Sequence, residues 1–245
     1  MTSALEAAAP VNQSVERAVR MLGFFTPDRP ELTLTELTAR LGTAKATAHR
    51  YTLALRRVGL LRFDAGRGVY TLGPRVVELA ATALAGLRII KVAGPHMERL
   101  VGELNETVVL SIWDGEAPVV VRADDNTDRI ARIVVRAGSR LPVTESAQGK
   151  VFCAFLPELE SKLARSELES IRETRVAANS NVVAGIGAVA TPVFQDRELV
   201  AAMAVIGTSA TIPDDPSSAV AQRLRAAAER LSEELGFLRP ERSAD

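Results

Sequence analysis

Residues 43–57 read TAKATAHRYTLALRR, and the fold of the first third of the chain turns on them. Ala44, Ala48, Tyr51, Leu55 and Val58 recur at intervals of four, three, four and three residues, one apolar stripe of a helix closed by Gly59. The other faces carry Lys45, Ala46, Thr47, His49, Arg50, Leu53 and Arg57. On an ordinary amphipathic helix such a face meets only water, so the flanking sequence decides what this one meets.

Upstream, SVERAVRMLGFF (14–25) places Val15, Ala18, Val19, Leu22 and Phe25 at helical spacing, with Ser14 as N-cap and TPDRP (26–30) as the stop. LTLTELTARLG (32–42) predicts a short helix capped by Thr35, burying Leu37 and Leu41, with Gly42 in the turn. Downstream, LLRFDAGRGVYTLG (60–73) reads as two strands around an AGRG turn tipped by Arg67. Three helices and a basic-tipped hairpin make a winged helix-turn-helix. In that motif the start of the second helix enters the major groove, so Thr43 to Arg50 would reach base edges. Lys45 and Arg50 suit guanine O6 and N7, Thr47 a hydrogen bond or a thymine methyl, and His49 and the small Ala46 share the same approach. Arg17, Arg56, Arg62 and Arg67 are placed for phosphates, which fix register without reading sequence.

Charge agrees with this division. The chain carries no formal net charge, yet residues 14–91 hold 13 Lys/Arg against 6 Asp/Glu, while 92–245 hold 17 against 23. A basic head on a mildly acidic remainder fits a nucleic-acid module joined to a module of another kind. A single cysteine, Cys153, excludes an intrachain disulfide framework and fits a reducing compartment. The opening MTSALEAAAP lacks the basic and apolar regions of a signal peptide. The longest apolar run, VVAGIGAVATPVF (182–194), is too short and glycine-interrupted to span a bilayer, so a cytoplasmic protein without membrane contact is expected.

Residues 1–13 are expected to be a tail, 14–73 the winged helix-turn-helix, 74–93 a linker helix, 94–238 a second domain and 239–245 a second tail. The linker, PRVVELAATALAGLRIIKVAG (74–94), runs from Pro74 to Gly94 and is apolar on more than one side, which predicts dimerisation. A helix follows at 95–106, then a hairpin at 107–125 around Asp114–Gly115–Glu116, and a further strand within 129–142. SAQGKVFCAFLP (146–157) opens a helix near Ser146, two short polar helices lie within 158–174, residues 185–207 form a strong hairpin, and 217–236 a closing helix. The fold class expected is α+β, with a mixed α/β sensor domain behind the DNA-binding head.

SVERAVRMLGFF, LTLTELTARLG, TAKATAHRYTLALRRVGLL and YTLGPRVVEL resemble the DNA-binding half of IclR-family transcriptional regulators. The similarity continues through LVGELNETVVLSIWDGEAPVVV, GSRLPVTESAQGKVFCAFLP and GIGAVATPVF to the last helix, covering roughly 14–238 in family order. The resemblance implies a GAF-like effector-binding domain, and homodimers or dimers of dimers on double-stranded operator DNA. It further implies a ligand-responsive regulator, expected to repress a metabolic or catabolic operon. The amides at the start of SAQGK suit an anion or carbonyl oxygen, and the resemblance puts this segment on the pocket wall, making Ser146, Ala147, Gly149 and Val151 effector candidates. Relatives that sense small carboxylates use polar strand residues. The positions aligned with those are Ala178, Ala188, Ala204 and Ile206, and AANSNVVAG (177–185) replaces an often acidic segment. The effector expected is a small organic acid or, better matched to these side chains than a strongly polar anion, a more apolar metabolite, aromatic or amphipathic with one carboxylate; a pocket closed by the same side chains and without a ligand is the other reading.

Catalysis is not expected. Cys153 lies in an apolar helix, and His49 and His96 fall in different predicted helices. SAQGKV is not a phosphate loop: Gly138 lies eleven residues before Gly149, not five, and Val151 stands where Ser or Thr should follow the lysine. One Cys and two scattered His offer no metal spacing, and no cofactor is expected. The alternative is an architectural DNA-binding protein without an effector.

Overall fold

The computed structural model describes residues 12–125, 133–179 and 183–237. The chain divides between Ala85 and Gly86 into two compact units.

The first unit contains α1 (Gln13–Leu22), β1 (Leu32–Thr33), α2 (Leu34–Leu41), α3 (Lys45–Arg57), β2 (Leu61–Asp64), β3 (Val69–Leu72) and α4 (Pro74–Gly86). β1, β3 and β2 form an antiparallel sheet in that order, with β2 and β3 as the wing hairpin. Met21, Phe25, Leu32, Leu37, Leu41, Ala48, Leu55, Leu61 and Tyr70 close one core. Two helix starts differ from expectation. α1 is capped by Asn12, whose side chain accepts from Ser14 N–H, and not by Ser14. α2 is capped by Thr33, not Thr35, because Glu36 completes a reciprocal capping box with Thr33. Gly42 does terminate α2, at φ +65°.

The stripe on α3 also shifts. Ala48 and Leu55 are buried and Tyr51 half-buried, but Ala44 and Val58 are exposed, since they sit at the two ends of the helix. Thr52 takes the vacated core position: its hydroxyl donates to the His49 carbonyl at 2.9 Å and lies 3.3 Å from the Tyr70 hydroxyl on β3. A polar residue becomes a core residue here because its hydroxyl is satisfied by one local partner and one brought in by the fold. On α1, Val15 and Val19 are exposed and Met21 is the inward residue.

The linker does not run unbroken to Gly94. The chain leaves helical geometry at Leu87, and α5 (Arg88–Leu104) continues straight through Gly94 and Pro95. At Gly94 a Cβ would stand 2.5 Å from Nη1 of Arg122, the movable end of a long side chain, so the glycine neither ends the helix nor is demanded by a rigid neighbour.

The second unit is a five-stranded antiparallel sheet in the order β5-β4-β8-β7-β6. Its strands are β4 (Thr107–Trp113), β5 (Pro118–Asp124), β6 (Ala177–Asn179), β7 (Ile186–Gln195) and β8 (Glu198–Thr208). α5 and α8 (Ala219–Glu234) cover one face, packing Met97, Leu100, Leu224 and Leu231 against Val108, Leu110, Val189, Met203 and Val205. α6 (Ala147–Phe155), a 3-10 turn (Pro157–Lys162) and α7 (Arg165–Thr174) cover the other, where Val151, Phe152, Leu168 and Ile171 meet Ala177, Ala190, Ala202 and Ala204. The strand expected within 129–142 lies partly outside the described residues. From Ile133 on, the chain is irregular, and residues 138–141 join β5 through backbone hydrogen bonds to Pro118 and Val120 around an isolated bridge between Val119 and Arg140.

Phe152 is 1% exposed and its ring lies 5.6 Å from that of Trp113. Phe152→Ala should destabilise the protein by about 3–5 kcal/mol, read as a lower urea midpoint.

Candidate DNA interface and effector cavity

Lys45, Ala46, His49, Arg50, Leu53, Arg56 and Arg57 are exposed on α3, while Thr43 and Thr47 are half-buried. The residue before α3, Ala44, is its N-cap and offers no side-chain hydrogen bond, whereas Asn12, Thr33, Ser146 and Ser218 cap their helices. The first amides of α3 are thus left for an outside acceptor at the positive end of the helix dipole, where a phosphate oxygen fits.

The arginines around this helix differ in their freedom. The Arg56 guanidinium lies over the Phe63 ring at 5.2 Å, and with Leu53, Arg57, Leu61 and Arg62 these two line an open groove between the end of α3 and β2. Arg17 is exposed on α1. Arg67, at the wing tip, is gripped by Glu31 through two hydrogen bonds of 2.5 Å, which also raise its pKa. A phosphate contact by Arg67 would have to compete with that carboxylate. Glu31 was not singled out in the sequence, where 36 positions separate it from Arg67.

In the second unit a cavity of about 170 Å³ lies against the amino-terminal end of α6. Ser146, Ala147 and Gln148 form one wall, and Asn179, Ile186, Ala188 and Ile206 of the sheet form another. Ile133, Val135, Leu141, Pro142 and Val183 close it. Four of the eight effector candidates, Ser146, Ala147, Ala188 and Ile206, therefore share this cavity. The other four do not line it. Val151 and Ala204 are fully buried in the core beneath α6. Gly149 is a packing glycine, because a Cβ there would stand 2.1 Å from the Val143 carbonyl oxygen. Ala178 faces the α5 and α8 side of the sheet, since strand alternation on β6 turns Ala177 and Asn179 toward α6. The one-residue slip explains why Asn179 was missed. Gln148 carried a signal of its own, a lone amide between Ala147 and Gly149 in a helix otherwise apolar as far as Phe155 apart from Lys150.

No charged side chain lines the cavity among the described residues. Lys150 points its charge to Glu167, 2.8 Å away. Ser146 is occupied in capping: its Oγ accepts from Gly149 N–H at 3.0 Å and donates to the Pro142 carbonyl. Burial pushes the Cys153 thiol above its ordinary value, which makes it inert. His96 pairs with Glu234 at 2.9 Å, and among the described residues no cluster could hold a metal.

The family model of the IclR helix-turn-helix domain matches residues 14–65, and that of the bacterial transcriptional regulator IclR C-terminal region matches 81–165. The chain belongs to the IclR family. It is a transcriptional regulator with an amino-terminal DNA-binding domain, and not an enzyme. It is 27% identical over 248 residues to the HTH-type transcriptional regulator KipR of Bacillus subtilis, covering 92% of this chain and 98% of that one. An ICLR transcriptional regulator from Silicibacter sp. TM1040 superposes with a TM-score of 0.81 at 25% identity, over 93% of this chain and 98% of that one. An IclR homolog from Microbacterium hydrocarbonoxydans, solved in complex with 4-hydroxybenzoate, superposes with a TM-score of 0.73 at 24% identity over 91% and 99% of the two chains. Among the described residues, no helix is long and apolar enough to cross a membrane.

The bare start of α3 yields a test in which stability and binding move in opposite directions. Ala44→Asp should stabilise the fold by about 0.5–2 kcal/mol by supplying the missing cap. It should also weaken DNA binding and reduce the salt slope by about one phosphate contact. Thermal melts paired with DNA titrations over a salt series would check both, and unchanged binding would remove the phosphate from this helix end.

Proposed function

We propose that this IclR-family protein is a ligand-responsive repressor that binds a two-fold or near two-fold operator as a homodimer or dimer of dimers. Each subunit lays the start of α3 in a major groove, where Lys45, Thr47, His49 and Arg50 meet base edges, Thr43 and Ala46 let the backbone approach, and Arg17, Arg56, Arg62 and Arg67 meet phosphates. Self-association through α4 is supported by its exposed apolar side chains Val77, Leu79 and Leu84.

The observation that carries the effector reading is the cavity beside α6, lined almost wholly by apolar atoms and without a charged side chain among the described residues. A volume of about 170 Å³ suits a single ring, given that an apolar cavity on the order of 150 Å³ holds benzene. The free amides of Ala147 and Gln148 at the start of α6 suit one carboxylate. We therefore assign a monocyclic carboxylic acid as the effector class. The Microbacterium homolog's 4-hydroxybenzoate is a ligand of that kind. Glyoxylate and pyruvate would leave most of the apolar wall unfilled. Occupancy of the cavity would change operator affinity by favouring one arrangement of the subunits over another.

Calorimetric titration should show benzoate binding and little or no binding of glyoxylate or pyruvate; the reverse order overturns the effector class. Operator affinity unchanged by any cavity ligand would favour an architectural protein. On an operator found by footprinting the DNA beside its gene, Arg50→Ala should cost about 1–3 kcal/mol and leave random-sequence binding nearly unchanged. Equal losses on both would make Arg50 a phosphate contact.

A further inference from the structure

Gln148 is one of the largest side chains of the protein to be fully buried, at 2% exposure. A carboxamide offers two donors and an acceptor with two lone pairs. Among the described residues its hydrogen-bond partner is the Ser111 hydroxyl, 2.9 Å from Nε2. Ser111 is itself 0% exposed, on β4 between Ala202 of β8 and Val120 of β5. Packing alone does not account for this pair. Replacing two buried polar partners by apolar groups of the same shape is close to neutral or stabilising, and the surroundings of α6 are otherwise Ala, Val, Phe and Cys.

The position of the pair gives it a use. Gln148 lines the cavity at the end where the first amides of α6 lack intrahelical partners. Ser146 contributes nothing further there, its hydroxyl being committed to Gly149 and Pro142. Gln148 is thus the buried carboxamide on the wall beside the positive end of the α6 dipole, with no acidic side chain on the cavity wall among the described residues.

We propose that Gln148, held in place by Ser111, is the specificity-determining residue of the cavity: it selects a monocyclic carboxylate over the corresponding uncharged amide. This rests on the cavity being the effector site. Gln148 touches the ligand, and Ser111 is a positioning residue that anchors the carboxamide against β4.

Benzoate and benzamide, equal in shape and different in charge, are the probes, titrated calorimetrically into the full-length protein. The wild type should favour benzoate by about tenfold or more, the scale of one buried hydrogen bond to a charged group. Gln148→Glu should invert the preference, since a carboxylate repels benzoate and accepts from the benzamide N–H. Gln148→Met, which keeps the side-chain volume and therefore the fold, should lower benzoate affinity about tenfold and leave benzamide much less affected. Ser111→Ala should reduce the benzoate-to-benzamide ratio, and Ser111→Thr, which restores the hydroxyl, should recover it; a merely structural serine would lower both affinities together. An unchanged ratio across these variants, with benzoate still bound, overturns the role of Gln148 and leaves the cavity reading intact. A wild type that binds neither probe overturns both.

Discussion

The second unit depends on the phase of the β7–β8 ladder. It pairs Ile186 with Thr208 at one end and Gln195 with Glu198 at the other, and β4 and β6 join its two sides. Because side chains alternate along a strand, this register assigns Val189, Met203 and Val205 to the α5 and α8 face and Ala190, Ala202 and Ala204 to the α6 face. The two faces differ in volume. Branched and long side chains on one fill the space under two helices; alanines on the other let α6 sit close. Position 149 must be glycine for another reason: the 142–143 backbone passes against α6, and a Cβ would stand 2.1 Å from the Val143 carbonyl oxygen. The cavity opens at the amino-terminal end of α6, beside Ala188 and Ile206.

Much of this was legible in the sequence because local chemistry dictated it. The Asp114 turn is written in its own residues: its carboxylate accepts from the Glu116 and Ala117 N–H groups, so the hairpin needs nothing distant. Ser146 caps α6 and Gly42 ends α2 for the same reason. What escaped depended on tertiary partners or on counting by one. Thr52 reads as polar surface until Tyr70 is brought beside it. Gly94 reads as a helix end, yet the helix that starts at Arg88 runs through it to Leu104 and packs on the sheet. Ala178 and Asn179 exchange roles with a slip of a single residue, and no periodicity over a three-residue strand fixes that phase. On the DNA side the helix itself was evident, whereas the tie between Arg67 and Glu31 was not.

The first unit divides its helix ends by purpose. α2 has a complete capping box and a left-handed glycine at its end, so it stands on its own backbone chemistry. α3 has neither cap nor acidic first turn, and it relies on Ala48, Thr52 and Leu55 against the rest of the core. A helix held from one side and bare at its start has first-turn donors that no side chain caps. α6 differs in being capped by Ser146, and its first turn forms one wall of the cavity.

These two helix ends set the scale of any switch. An effector shifts an equilibrium only by the difference between its affinities for the two states, and couplings of about 1–3 kcal/mol correspond to 5–150-fold changes in affinity. A ring of benzoate size buried among apolar walls gains most of its affinity from contacts that need not differ between states. A hydrogen bond from Gln148 that forms in one arrangement and is lost in the other is worth about as much as the whole coupling. On the proposed effector reading, the buried pair of Gln148 and Ser111 is the part of the cavity best placed to turn occupancy into a change of state, because Gln148 is held from β4 while the group it would bind comes from outside.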